Sequence, residues 1–174
     1  PFIIPPGYEG VFPESSLPIQ KCIRYSDNAL RLFFKESSKS SWYWNTLFVL
    51  VADHGTYSQD NPRYQSEIES MAIPIIYYDP SLRAVSGGQV YDQYTQQIDI
   101  MPTVLDMLGY PFDFFAFGRS IKDSLTIPFV VNYPALFNIM REEKENEPTN
   151  ELFLKAFRQQ YNNRLLDDGL HMGN

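Results

Sequence analysis

The sequence predicts a layered α/β fold, because helical patterns alternate along the chain with apolar, β-rich runs that are typical of buried strands. Two such runs cover residues 46–52 and 73–78, and a third covers 127–131. A polar connection separates the first two runs, so we expect them to be adjacent, or nearly so, in a mostly parallel sheet. With 174 residues, of which 44% are hydrophobic, the chain is long enough to bury one core.

Three segments have the spacing of apolar residues that predicts a helix. The first covers residues 20–38. The second covers 99–108, with Pro102 in its first turn, where proline is tolerated, and Gly109 at its end. The third covers 149–165, begins at a capping Thr or Asn, and follows a charged, loop-like stretch.

The composition limits the partners that the chain can have. Its net charge is -7 and its pI is about 4.8, so its surface repels phosphate backbones and we expect no nucleic-acid partner. No apolar run approaches the roughly 18 residues of a membrane-spanning helix. The single cysteine, Cys22, cannot form an internal disulfide, so the redox compartment stays open.

The strongest local signal for chemistry is the pair Asp53-His54, which directly follows the first apolar run. Ligands of open α/β sheets bind beyond the carboxyl ends of strands, and a carboxylate with an imidazole is a donor pair for a divalent metal ion. Gly55 would let the backbone turn sharply beside such an ion. The alternative is that Asp53 caps the next turn and His54 is an ordinary loop histidine.

Four other residues could add ligands, but each has a simpler structural explanation. His171 lies in the last four residues, where chain ends usually fray. Asp79 precedes a proline and is expected in a turn, and Asp99 opens a predicted helix and is expected to cap it. Asp92 has no distinguishing neighbour beyond a nearby Gly-Gly pair.

Several stretches together resemble the lipoteichoic-acid-synthase-like branch of the sulfatase and alkaline phosphatase superfamily. In that branch a helix leads into a strand that ends in Asp-His, a second strand follows, and a late helix precedes a short loop. The matching stretches are YSDNAL from Tyr25, Phe33-Phe34, WYWNTLFVLVADH from Trp42, IPIIYY from Ile73, QIDIMPTVLDMLG from Gln97 and FGRSI from Phe117. The resemblance covers about residues 1–122 and is only vague after that.

The resemblance implies an alkaline-phosphatase-like α/β/α sandwich and a divalent metal ion (Mn, Zn, Ca or Mg) held by four protein groups. Asp53 and His54 match two of those groups. The other two, an acidic residue and the nucleophile, belong to the upstream half of the family's catalytic domain. We therefore expect residues 1–174 to be the C-terminal part of such a domain, with no catalytic nucleophile of its own, inactive without its missing N-terminal half.

The resemblance also implies a substrate class and a location for the parent protein. The substrate would be a sulfate or phosphate ester, and the reaction either hydrolysis or transfer of a phosphoglycerol-type group. A Thr nucleophile would favour transfer, whereas a modified Cys or Ser would favour sulfate hydrolysis. The parent is expected in the cell envelope, outside the cytoplasm, with a membrane anchor upstream of Pro1. The alternative is a non-catalytic binding or architectural domain that keeps the sulfatase fold.

Overall fold

The computed structural model resolves the chain into two compact units, which are described separately. The first unit comprises 1–47 and 79–81, and the second comprises 48–78 and 82–174. The residues that the structure describes are 3–8, 10–12, 17–55, 61–65, 69–85, 87–126, 128–132, 138–141, 147–167 and 169.

The first unit is built around helix α1, Pro18–Ser37. Pro18 occupies the first turn, where its missing N–H is harmless, and the helix ends as Ser38 donates its backbone N–H to Phe34. The predicted helix over 20–38 is confirmed, with a start two residues earlier. A 3-10 turn follows at Tyr43–Asn45, in which the buried Tyr43 makes an edge-to-face contact with Trp44.

In the second unit, strand β1 (Phe48–Val51) pairs with strand β2 (Ile75–Tyr78). The expected adjacency of these segments is confirmed, but the expected parallel sheet is wrong: the two strands are antiparallel, and within the described part of the chain they form a sheet of two. Phe48 lies opposite Tyr78, and Val51 opposite Ile75. A parallel pair needs a crossover that carries the chain back, usually a helix, and the described part of the connection holds only 3-10 turns.

The strands are also less buried than their apolar sequence predicted. In β2 the burial alternates: Ile76 and Tyr78 are 52% and 39% exposed, whereas Ile75 and Tyr77 are half-buried. Val51, at the end of β1, is 42% exposed. The pattern is that of a sheet covered on one face, not of one buried on both.

Helix α2, Ile100–Met107, confirms the second predicted helix with bounds one residue tighter at each end. Pro102 is buried in its first turn, as expected. The helix stops because Gly109 adopts a φ of +66°, and the backbone N–H of Tyr110 then donates to Leu105.

A second antiparallel pair comprises β3 (Phe129–Asn132) and β4 (Asn138–Arg141). The run at 127–131 predicted β3, whereas β4 was not predicted. Helix α3, Glu147–Leu166, begins before the expected cap, so Thr149 and Asn150 lie within its first turn. The mixture of helices and strands confirms an α/β class.

Aromatic side chains attach α3 to the rest of the second unit. Phe157 lies 4.9 Å, centroid to centroid, from Phe117 and 6.5 Å from Phe129, and Phe153 lies 5.2 Å from Phe129. At the other end of the helix, the Arg164 guanidinium lies 3.6 Å above the ring of Phe115. The last helix therefore packs on the loop after α2 and on β3.

Candidate metal-ligating site

The pair Asp53-His54 lies just beyond the carboxyl end of β1, which ends at Val51. The side chains of Asp53 and His54 are 88% and 79% exposed, and the Asp53 Oδ2 and His54 Nε2 atoms are 3.7 Å apart. The other carboxylate oxygen of Asp53 accepts the backbone N–H of His54 at 3.0 Å. Both side chains therefore face one solvent-open space, as the abrupt end of the apolar run predicted.

The hydrogen bond at the other ring nitrogen fixes the tautomer of His54. Nδ1 lies 2.7 Å from the carbonyl oxygen of Gly55, and a carbonyl oxygen can only accept a hydrogen bond. Nδ1 therefore carries the proton in the neutral ring, and Nε2 keeps the lone pair. The lone pair is thus on the nitrogen nearer the Asp53 carboxylate.

Gly55 is required here because another backbone segment approaches it closely, and not because of the sharp turn that the sequence suggested. Its φ is not in the left-handed region, but a Cβ at this position would overlap the backbone carbonyl oxygen of Ser70 and lie 3.0 Å from its carbonyl carbon. The chain segment around Ser70, in the 3-10 turn Glu69–Met71, therefore packs directly on the backbone after His54. Close approach, not a sharp turn, explains the glycine.

Gln97 connects the end of β1 to the start of α2. Its side-chain Nε2 donates to the carbonyl oxygen of Ala52 at 2.9 Å and to that of Asp53 at 3.1 Å. The two hydrogens of one amide group are thus directed at successive carbonyls, one of which belongs to Asp53 itself.

The turn that carries Gln97 is held by the buried carboxylate of Asp99, which is 1% exposed. Its Oδ1 accepts the backbone N–H of Arg119 at 2.9 Å, and its Oδ2 accepts that of Gln96 at 3.0 Å. Burial raises the pKa of this carboxyl, and the hydrogen bonds from Arg119 and Gln96 oppose that rise. Asp99 occupies the N-cap position of α2, as expected, but its side chain makes no capping hydrogen bond to that helix. The carboxylate instead belongs to the N3 residue of a capping box that begins at Gln96.

Gly118 allows that arrangement. A Cβ on Gly118 would overlap the carbonyl group of Ile98 and lie 2.6 Å from Asp99 Oδ1. The buried Arg119 continues the contact, since its guanidinium donates to the carbonyl oxygens of Tyr94, Ser120 and Asp123. The loop after α2 is thereby joined to the segment that precedes the helix.

Asp53 and His54 open onto a cleft of about 1130 Å³. Within the described part of the chain, three acids line it together with His54, namely Asp53, Glu69 and Asp92. Its remaining wall includes the amide and hydroxyl side chains of the 89–97 segment. An acid-lined cleft attracts cations and repels anions.

Among the described residues, the other candidate ligands do not join Asp53 and His54 in one cluster. Asp79 is a turn residue, as expected, because its Oδ1 accepts the backbone N–H of Ser81 at 2.8 Å. Asp92 lines the cleft, whereas the buried Asp99 serves the capping box. His171 lies outside the described residues. Within the described ranges no group of three or more His, Cys, Asp and Glu side chains is placed to hold a metal ion.

None of the described helices is long and apolar enough to cross a bilayer. Cys22 lies half-buried within α1 as a free thiol.

Sequence reasoning missed Gln97 and Gly118 as residues that shape this site. Both lie in stretches that carried the family resemblance, one before α2 and the other in the loop after it. A glutamine gives no local sign of which acceptors it will reach, because those acceptors are 44 and 45 residues away. Gly118 follows an aromatic run, and an isolated glycine can indicate a close approach of two backbone segments. The sequence alone does not show that the second segment here is the one around Ile98.

Comparison with known proteins gives a consistent result. The sulfatase family model matches residues 9–110. The chain is 31% identical over 105 residues to an arylsulfatase of Clostridium perfringens (strain 13 / Type A), covering 58% of this chain and 22% of that protein. It is 30% identical over 97 residues to lipoteichoic acid synthase 1 of Bacillus subtilis (strain 168), covering 49% of this chain and 15% of the synthase.

A third relative is the multifunctional alkaline phosphatase superfamily protein PehA of Trinickia caryophylli, 28% identical over 98 residues, with 55% of this chain and 19% of that protein covered. The chain thus spans less than a quarter of the length of each of these relatives. No solved structure gives a significant match.

Proposed function

Because the chain belongs to the sulfatase family, we propose that Asp53 and His54 are two ligands of a divalent metal centre in an enzyme that acts on sulfate or phosphate esters. The family implies an alkaline-phosphatase-like α/β fold, and we propose that residues 1–174 are the C-terminal part of its α/β/α sandwich. The observation that carries the proposal is the pairing of a lone-pair-bearing Nε2 with a carboxylate oxygen 3.7 Å away.

The spacing of the two donor atoms fits a metal ion. Bonds of about 2.0–2.2 Å to a nitrogen and an oxygen, at a tetrahedral angle, place the donors about 3.4 Å apart. The observed 3.7 Å needs only a small rotation of either exposed side chain. The Gly55 carbonyl holds the ring by its Nδ1–H, the kind of partner that orients a metal-binding histidine. An imidazole in the set favours Zn over Ca or Mg.

The charge of the cleft supports the same conclusion. Three acids face a space that an anionic ester has to enter, so the ester would be repelled without a compensating cation. A bound divalent ion would offset charge on the ester oxygens and lower the pKa of the attacking hydroxyl. The chain's own contribution is to orient His54 Nε2 and the Asp53 carboxylate toward one point.

Two ligands are an incomplete set, because catalytic metal sites normally have three protein ligands and an open position. We infer that the remaining ligands and the nucleophile come from an upstream half of the same polypeptide, which would be the principal partner of this chain. Residues 1–174 alone are therefore expected to bind metal weakly and to turn over no ester.

The reaction is hydrolysis or phosphoglycerol-type transfer, and the nucleophile decides between them. A Thr nucleophile would support transfer, and a modified Cys or Ser would support sulfate hydrolysis. The similarity to a lipoteichoic acid synthase favours the first reaction, and the similarity to an arylsulfatase favours the second. The second candidate function is a non-catalytic binding or architectural domain. The large cleft fits both, but the orientation of His54 favours the metal centre.

We also propose that the whole protein acts in the cell envelope, outside the cytoplasm, held to a membrane by a segment beyond these residues. The similarity to a lipoteichoic acid synthase supports this location. Fractionation of cells that make the whole protein tests it. Recovery in the membrane fraction supports the synthase-like branch, recovery in a soluble extracytoplasmic fraction indicates a secreted sulfatase, and recovery in the cytosol refutes the location.

The function is tested by activity on aryl sulfate and aryl phosphate. The whole protein is expected to need a divalent ion and to lose at least about 100-fold in kcat/KM on His54→Ala, because a first ligand of the metal is removed. Asp92→Asn, a cleft-lining acid outside the proposed ligand pair, is the matched control and should stay near wild type. Equal activity of the His54→Ala and Asp92→Asn proteins would refute the proposal, and turnover by residues 1–174 alone would refute the need for an upstream half.

A further inference from the structure

We propose that Gln97 is a positioning residue for the metal centre, which holds the backbone of the Asp53-His54 pair in place. This inference rests on the proposed function, because it assumes that Asp53 and His54 bind metal. Gln97 is not a ligand in this account. Its amide nitrogen is directed at backbone carbonyls and acts on the metal only through the two ligands.

The contact geometry shows how Gln97 can do this. Its Nε2 donates to Ala52 and Asp53, the two carbonyls at the point where β1 has ended and the ligands begin. Beyond Val51 the ladder to β2 no longer fixes the chain. The two hydrogen bonds from Gln97 therefore replace the strand pairing over the two residues that orient the Asp53 side chain.

A second restraint acts on the other side of the pair. The backbone around Ser70 packs so closely on Gly55 that no side chain fits between them. Gln97 thus restrains the backbone at Ala52 and Asp53, and the Glu69–Met71 turn restrains it at Gly55, directly after the ligand pair. The side chains themselves are largely exposed, so their position depends on this backbone.

Gln97 in turn lies on a rigid support. It is the first residue of the 3-10 turn Gln97–Asp99, whose capping box is completed by the buried Asp99 carboxylate. The same carboxylate accepts the backbone N–H of Arg119, and Gly118 packs on Ile98. A side chain on a turn fixed at both ends is suited to position ligands that follow an exposed strand end.

The test uses Zn²⁺ and nuclear magnetic resonance of residues 1–174. The sequence has two histidines, so the ring signals of His54 can be assigned and followed during a Zn²⁺ titration even when binding is weak. Gln97→Met keeps the length of the side chain without its donors, and Gln97→Asn keeps the amide but stops about 1.5 Å short of the carbonyls. Gln89→Met is the control, because Gln89 lines the same cleft and instead accepts from the Tyr91 hydroxyl.

We expect both Gln97 variants to weaken Zn²⁺ binding at His54 by about 10-fold or more, the usual effect of removing a residue that orients metal ligands. Gln89→Met should leave the affinity unchanged. Without metal, the backbone order parameters of Asp53 and His54 should fall in the Gln97 variants alone. The far-UV circular dichroism and thermal midpoint should stay close to wild type, since Gln97 is an exposed residue.

The outcomes separate the two proposals. If His54 shows saturable Zn²⁺ binding, but the Zn²⁺ affinity and the order parameters are unchanged in both Gln97 variants, the proposed role of Gln97 is overturned. If the wild-type His54 signals show no saturable response to Zn²⁺, the metal-ligand proposal fails. In that case the order parameters, measured without metal, still decide whether Gln97 holds this backbone. An equal affinity loss in Gln89→Met also overturns the specific role.

Discussion

The contact between Gly118 and the turn before α2 predicts that Gly118→Ala destabilises the second unit strongly. The added Cβ would lie 2.6 Å from Asp99 Oδ1 and would overlap the carbonyl group of Ile98. Ordinary contact is about 3.4–4 Å, so the loop or the turn has to move by about 1 Å. Overpacking of this kind costs about 1–3 kcal/mol, and a weakened hydrogen bond from Arg119 to Asp99 adds about 1 kcal/mol, which gives about 2–4 kcal/mol.

Urea denaturation followed by far-UV circular dichroism measures this effect. With an m value of about 2 kcal/mol/M, the midpoint should fall by about 1–2 M at an unchanged slope. Gly87→Ala is the matched control, because its Cβ would meet only the Leu82 Cδ2 atom, at 3.9 Å, and its backbone has no positive φ. Equal midpoints for the two variants would show that the close approach at Gly118 is not a structural requirement and would refute this account of the turn.

Two further predictions concern stability. Burial raises the pKa of Asp99, so the folded state binds the carboxyl proton of Asp99 more tightly than the unfolded state does. The free energy of unfolding should therefore fall as pH rises from about 4 through the raised pKa. Asp99→Asn should remove this contribution to the pH dependence of stability. Urea midpoints between pH 4 and 7 check this, and identical pH slopes would contradict it. Phe157→Ala removes ring contacts with Phe117 and Phe129 and should cost about 1–3 kcal/mol in thermal unfolding, whereas Leu152→Ala, 69% exposed, should change little. Equal effects of the two substitutions would contradict the packing of α3.

Local patterns predicted the elements of this fold better than their arrangement. The apolar runs located β1, β2 and β3, and the 3.6-residue spacing located the described α-helices α1, α2 and α3 within a few residues. The pairing direction of β1 and β2 was wrong, because continuous apolar runs are typical of parallel strands buried on both faces, whereas these antiparallel strands keep apolar side chains such as Val51 and Ile76 exposed. Strand β4 was missed, since Asn138–Arg141 is polar at both ends and pairs with β3 through its backbone.

For the candidate site, the sequence located the ligand pair but not the residues that support it. Asp53 and His54 stand out because a strand ends abruptly before them. Gln97 and Asp99 act on backbone groups 20 to 45 residues away, and such partners follow only from the folded chain. Asp99 does occupy the N-cap position of α2 that its sequence predicted, but the partners of its carboxylate, the backbone N–H groups of Arg119 and Gln96, could not be predicted for the same reason.

Anomalous diffraction at the zinc edge, from crystals grown with Zn²⁺, would show whether Asp53 and His54 bind one metal ion through Oδ2 and Nε2. We expect a peak about 2.0–2.2 Å from both atoms, with Nδ1 of His54 still donating to the Gly55 carbonyl. A zinc ion on Nδ1 of His54, or zinc bound elsewhere while neither residue is a ligand, would contradict the claim.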